Sequence, residues 1–335
     1  MWGQRSEGGW DHRVDVSHLT PDAVTPERAS GSCTFDDKIT QGALEFLINL
    51  DAELDEAWLD DSIELGMKFM IESQFDNGAW SQWFPFRGGY HDYYTFNDNA
   101  IVDNIRLMLK AYSVYGDVKY LKSAEMGGNF IVKSPVSASQ PAWAQQYSHD
   151  MKPAWARKFE PPAVCSAVTA RNIHMLVELY HFTKDKRYLG PIPDAISWLE
   201  KSKIGDNLWA RMYEVETNRP IYGDRDGTVH YTLEEISEER RRGYSWQSDY
   251  DVPRVLDMYK QALKTGPSGP PKDERPVLTN AEKKRRFDDM KLDLESTIDA
   301  LDAEGRWVNA EDERIHARDF VRNINRLMDG LELLR

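Results

Sequence analysis

Between Gln74 and Ala100 the chain reads QFDNGAWSQWFPFRGGYHDYYTFNDNA. This sets two Trp, three Tyr and four Phe around the polar cluster Asn97-Asp98-Asn99, with Arg87, His91 and Asp92 nearby. Flat aromatic faces beside carboxamides and carboxylates suit two chemistries. One is a platform for sugar rings, with Trp80, Tyr94 and Asn97 as candidate substrate contacts. The other is a cleft whose oxygen ligands hold a hard cation. The same residues also fit a loop whose aromatics plug onto a helical core. Gly78, Pro85, Gly88 and Gly89 break any helical period, so the stretch reads as a long ordered connection, the kind of segment that carries function.

The elements that must position this stretch are helical. Apolar residues at helical spacing predict helices over Ile39 to Leu50 and Trp58 to Ser73 ahead of it, and Ala100 to Tyr115 and Tyr120 to Lys133 behind it. Further pairs follow at Ala167 to Thr183 and Arg187 to Lys203, then Tyr250 to Lys264, Asn280 to Ala303 and Ala317 to Leu334. Gly9-Trp10 is echoed in Asn77-Gly78-Ala79-Trp80, and Thr34-Phe35-Asp36-Asp37 in Thr95-Phe96-Asn97-Asp98, 61 residues later. A loop followed by two helices, repeated at this period, predicts an all-α fold, an (α/α) toroid or barrel of helical hairpins with its functional loops at one end. Short irregular or β segments interrupt it: Tyr222, Val229, Tyr231 and Leu233 give a weak alternation around the Asp226-Gly227 turn. Glu234 to Arg242 is too charged for core, and the GPSGPPKDERP run at 266 to 276 reads as a solvated linker. Nothing marks a second domain, so residues 1–335 are expected to form one catalytic domain.

Composition narrows the function. The 335 residues carry a net charge of −14, which argues against nucleic acid yet leaves room for an anionic ligand at a local cluster of Arg, Lys or bound cation. Cys33 and Cys165 lack metal-ligand spacing and could pair or stay as buried thiols. No apolar run is long enough to span a bilayer. Met1-Trp2-Gly3-Gln4 does not begin a signal peptide.

The ordered motifs TFDDKIT, NGAWSQWFP, GYHDYYTFNDNA, WAQQYSHDMKPAWARKFEP, AISWLE and TNRPIYGDRDG resemble the pectate lyases of polysaccharide lyase family 10, the pectic acid lyases, from about Gly8 to Trp307. Departures are Ala79-Trp80-Ser81 where the family usually has Gly-Trp-Pro, and Val164-Cys165-Ser166-Ala167-Val168-Thr169 where it usually has Ser-x-Glu-Ser. The resemblance implies an (α/α) toroid that cleaves α-1,4-linked polygalacturonate by Ca2+-assisted β-elimination. The chain is expected to be a secreted or periplasmic monomer that binds neither nucleic acid nor membrane. The resemblance places Asp98, Asn99 and Asp150 at the calcium site and Arg225 at the position of the base. A guanidinium stays protonated below a pKa of about 12, so Arg225 could instead be an electrostatic partner, or an arginine paired with Asp224 or Asp226. Arg306 suits a bidentate carboxylate clamp, and Arg157 could do the same or hold Glu160 within the fold. Asp98 could also merely cap the helix that follows, and Asp150 could be only a loop carboxylate. Two rival functions use the same residues: a hydrolase with paired acids drawn from Asp92, Asp98 and Asp150, and a non-catalytic glycan binder.

Overall fold

The computed structural model describes residues 3–15, 28–51, 54, 56–269 and 279–334. Among these the helices are, in chain order, α1 (Ile39–Asp51), α2 (Ala57–Glu72), α3 (Ala100–Tyr115), α4 (Val118–Lys133), α5 (Ser166–Thr183), α6 (Ile192–Lys201), α7 (Glu238–Gly243), α8 (Val252–Thr265), α9 (Asn280–Asp299) and α10 (Ala317–Leu334). Most bounds fall within two residues of those the apolar spacing predicts. The exceptions are the Asn280 to Ala303 pattern, whose helix ends at Asp299, and the Arg187 to Lys203 pattern. Gly190, Pro191 and Pro193 confine the Arg187 to Lys203 pattern to a 3-10 turn at Lys186–Leu189 followed by α6. Tyr250 and Asp251 sit at φ 46° and 62°, so α8 starts only after them. The linker expected at 266 to 276 lies mostly outside the described residues.

The chain divides into two compact units, residues 1–72 with 272–335, and residues 73–271. In the first, α1 packs on α2 and α10, and α9 pairs with α10. Leu44, Leu47, Ile48, Leu59, Ile63 and Met70 supply buried apolar faces there, and the Phe35 and Phe69 rings meet at 5.5 Å. Cys33 and Cys165 are both free, buried thiols.

The second unit holds the α3–α4 hairpin, α5 with α6 beside it, and α8 against α5. A four-stranded antiparallel sheet runs in the order Val229–His230, Pro220–Gly223, Met212–Glu214, Ala163–Cys165. The expected alternation is therefore real as far as His230. Tyr231 and Leu233 fall outside it, in a segment tied down by Glu235 at the Tyr231 and Thr232 amides. The charged stretch Glu234 to Arg242 is mostly exposed as expected, but Arg240 is only 7% exposed.

One backbone device recurs ahead of three helices. Two successive residues take left-handed conformations before α1 (Asp37, Lys38), before α3 (Asp98, Asn99) and before α8 (Tyr250, Asp251). In the first two the preceding Thr hydroxyl accepts from the amide two residues on, Thr34 from Asp36 at 3.0 Å and Thr95 from Asn97 at 3.1 Å. Asp and Asn tolerate this conformation because their short polar side chains bond locally, which accounts for the echoed TFDD and TFND motifs. The third copy has no sequence echo.

Candidate functional site

Asn97, Asp98 and Asn99 form the corner between the strand Tyr94–Thr95 and α3. Asn97 is buried and donates its side-chain amide to the Asp98 carboxylate. Asn99, at φ 64°, precedes the first helical residue but makes no capping bond, and Asp98 lies one residue further back. The residue at the cap position is thus Asn99 rather than Asp98. The Asn99 Oδ1 atom is buried and has no hydrogen-bond partner. A buried bare carbonyl oxygen on the residue next to a carboxylate is donor chemistry that a hard cation takes.

The corner is tied to a cationic cluster. The Phe96 amide donates to the Gln145 carbonyl at 2.9 Å, and the Gln145 side chain donates to Glu160 at 2.9 Å. Glu160 also accepts from Tyr244 at 2.9 Å and from Arg157 through Nε at 2.7 Å and Nη2 at 2.6 Å. Burial pushes the Glu160 carboxyl up, but the Arg157 bonds outweigh it and hold it below its usual range; the same bonds, with Asp98 close by, raise Arg157. Phe159, only 4% exposed, carries three guanidiniums about its ring: Arg240 at 4.4 Å, Arg157 at 4.8 Å and Arg225 at 5.6 Å. Tyr244 stacks edge-on against Phe159 at 5.3 Å and carries Arg211 over its own ring at 4.5 Å.

Arg225 is exposed on the turn after the strand Pro220–Gly223. Asp224 shapes that turn, accepting from the Arg225 amide at 2.7 Å and from the Ser237 hydroxyl at 2.8 Å. The Arg225 side chain pairs with neither Asp224 nor Asp226. Its Nε and Nη2 each reach Glu239 at 3.0 Å, and that hydrogen-bonded pair raises the Arg225 pKa.

Several sequence expectations are corrected. Trp80 is fully buried, with a helical glycine, Gly127, making room for its ring, so it offers no face to a sugar. Tyr94 is likewise buried, in edge contacts with Phe75, Phe130 and His149. Exposed aromatics among the described residues are instead Phe86, at 52%, Trp155, at 40%, Tyr231, at 39%, and Tyr115, at 38%. Arg157 has given its fork to Glu160, the second of its two expected roles. Arg306 belongs to the other unit, where Asp302 takes its Nε at 2.8 Å and Glu304 its Nη2 at 3.0 Å, so its clamp is already occupied. Asp150 is exposed at the tip of the Ser148–Lys152 turn. Tyr94–Thr95 and Gln146–Tyr147 pair antiparallel, so Asp98 leaves the pair at one end and Asp150 at the other. The chain thus runs on toward Asp98 and toward Asp150 in opposite directions from this pair.

Arg211 and Arg240 were not anticipated. Arg211 has a buried Nε without a hydrogen-bond partner, and no ion pair holds it among the described residues. Its signal was an isolated cation in the apolar run Trp209-Ala210-Arg211-Met212-Tyr213.

The fold is of the (α/α) toroid class. It is similar to a family 10 polysaccharide lyase from Cellvibrio cellulosa, one of whose structures holds trigalacturonic acid: the TM-score is 0.65 at 22% identity, covering 79% of this chain and 90% of that one. It is also similar to an α-1,6-mannanase from Salegentibacter sp. HEL1_6, with TM-score 0.52 at 10% identity over 99% of this chain and 95% of that one. The pectic acid lyase family model matches residues 4–206 and 197–253, well over half of the chain, which therefore belongs to that family and is a polysaccharide lyase. No curated protein matches it.

Proposed function

We propose that the chain is a pectate lyase that cleaves α-1,4-linked polygalacturonate by calcium-assisted β-elimination, releasing 4,5-unsaturated oligogalacturonides outside the cytoplasm, as a secreted or periplasmic enzyme. The observation that carries this reading is the gathering of Arg157, Arg211, Arg225 and Arg240 around Phe159 and Tyr244 in a chain of net charge −14. Such a cluster concentrates positive potential where an acidic surface would otherwise repel a polyanion. The family match begins at residue 4 in one compact unit and ends at residue 253 in the other, and we read residues 1–335 as one catalytic toroid.

The proton on C5 of galacturonate is weakly acidic because the adjoining carboxylate already bears a charge. A bound calcium would neutralise that carboxylate and spread the enolate charge as it develops. Asp98 and Asn99 would hold the ion, and Asn97 orients the Asp98 carboxylate toward that task. Arg211, with no carboxylate of its own, receives a carboxylate of the polymer. Arg225, once its guanidinium has given a proton to solvent, accepts the C5 proton; the C–H pair becomes the C4–C5 double bond, and the C4–O bond breaks. The departing oxygen is protonated from solvent. The ion pair with Glu239 works against deprotonation, so Arg225 acts only after that pair opens.

The test is Arg225→Lys, which keeps the charge and loses the fork. Turnover at saturation should fall by roughly 10²-fold, the scale of a lost general base, and by far more than any rise in KM from loss of the fork. Near-normal kcat with a raised KM would assign Arg225 to binding instead.

A further inference from the structure

Glu239 is not a reacting group in the elimination derived above, yet it binds two of the four clustered arginines. Its carboxylate takes Arg225 in a two-point contact, with Nε on one oxygen and Nη2 on the other, both at 3.0 Å. A carboxylate on a uronic acid would present the same two oxygens to the same fork. The same Glu239 oxygens are also bonded by Arg240, whose Nε lies at 2.7 Å. The two guanidiniums differ in freedom. Arg225 is 63% exposed along its side chain and Arg240 only 9%. Arg240 is further fixed by the Trp246 indole, which donates to its backbone carbonyl at 3.0 Å, and by its ring contact with Phe159. One arginine of the pair is thus a fixed anchor for Glu239, and the other an exposed group that can let go.

We propose that Glu239 is an internal stand-in for the substrate's carboxylate: it fills the Arg225 fork in the free enzyme and is displaced onto Arg240 when an anionic sugar binds. This rests on the reading of Arg225 as a residue of the uronate cleft. Release leaves Glu239 neutralised by Arg240, so no bare carboxylate is stranded beside the incoming polyanion. Glu239 is a positioning residue that competes with substrate. The exchange gives discrimination, because a neutral sugar ester has no charge with which to open the pair.

The test compares Glu239→Gln with Glu238→Gln in the full chain. Both remove one negative charge from α7, but Glu238 pairs with Arg242 and does not touch Arg225. Binding of trigalacturonate and of its methyl ester is measured by calorimetry, together with kcat and KM on polygalacturonate and the thermal midpoint. Glu239→Gln should bind trigalacturonate roughly three- to tenfold more tightly than Glu238→Gln does, should leave the methyl ester's affinity unchanged, and should lower KM, while Glu239→Asp keeps the wild-type values. Equal affinities in the two Gln variants, an equal gain for the methyl ester, or a lowered thermal midpoint with no gain in affinity would each overturn the proposal. Arg225→Lys run in parallel separates the two ideas. If that variant keeps its turnover while Glu239→Gln gains affinity, the base assignment fails and the competition stands. If turnover is lost while Glu239→Gln gains nothing, the base assignment stands and the competition fails.

Discussion

Asp98, Asn99 and Asp150 have the same ligand chemistry on paper and different positions in space. The first two share a left-handed corner with a buried bare oxygen; Asp150 is exposed at the far end of the same strand pair. The account therefore predicts an asymmetry. Asp98→Ala should reduce kcat by roughly 10²-fold or more and abolish the response to added calcium, whereas Asp150→Ala should cost less than about tenfold and leave calcium dependence intact. Calcium titrations of turnover on both variants check this, and equal losses would return Asp150 to the ligand set. Sequence reading grouped the three because residue type and motif order are visible in a sequence. The direction in which an antiparallel pair carries its flanking loops is not. Burial explains the other misreadings at this scale: Trp80 looks the same in the sequence whether its face meets a sugar or packs over Gly127.

Among the elements, helices were legible because apolar residues at a period of 3.6 mark them directly, and the Ala100 to Tyr115 and Ala317 to Leu334 bounds match α3 and α10. The four-stranded sheet was legible only in part. Its Ala163–Cys165 and Met212–Glu214 strands are three residues long, too short for alternation to register, and they pair over a gap of nearly fifty residues. That sheet nevertheless aims Arg225. A Cβ on Gly223, at the end of the strand leading to the arginine turn, would lie 2.2 Å from the Phe159 carbonyl oxygen, a backbone atom that cannot swing aside. Gly223→Ala should thus part the strand from the Phe159 segment, costing about 1–3 kcal/mol of stability and lowering kcat, since Arg225 and Phe159 move apart. Chemical denaturation and turnover measured together decide it. A variant of full activity and unchanged midpoint would show that this close approach does not set the position of Arg225.

For the whole molecule, acidity is the sharpest lever on stability. Glu178 on α5 binds Arg106 of α3 through Nε and Nη2, at 2.9 and 3.0 Å, and lies 2.9 Å from His174. Burial pushes its carboxyl up, but the His174 and Arg106 bonds prevail and lower it from 4.5 to about 2. A depressed folded-state pKa contributes stability above the unfolded value, and this is lost as pH falls from about 4.5 toward 2. The contribution is on the order of 2–3 kcal/mol, and Glu178→Gln should flatten that part of the stability curve, as urea midpoints at pH 5.5, 4 and 3 would record. The central claim concerns chemistry, and one observation addresses it most directly: near-ultraviolet absorbance during digestion of polygalacturonate, with calcium and then with excess chelator. Elimination leaves a C4–C5 double bond conjugated to the carboxylate, so the account predicts that absorbance rises with each bond broken and that the rise stops in chelator. Shortening of the polymer without any rise in absorbance would mean hydrolysis and contradict the account.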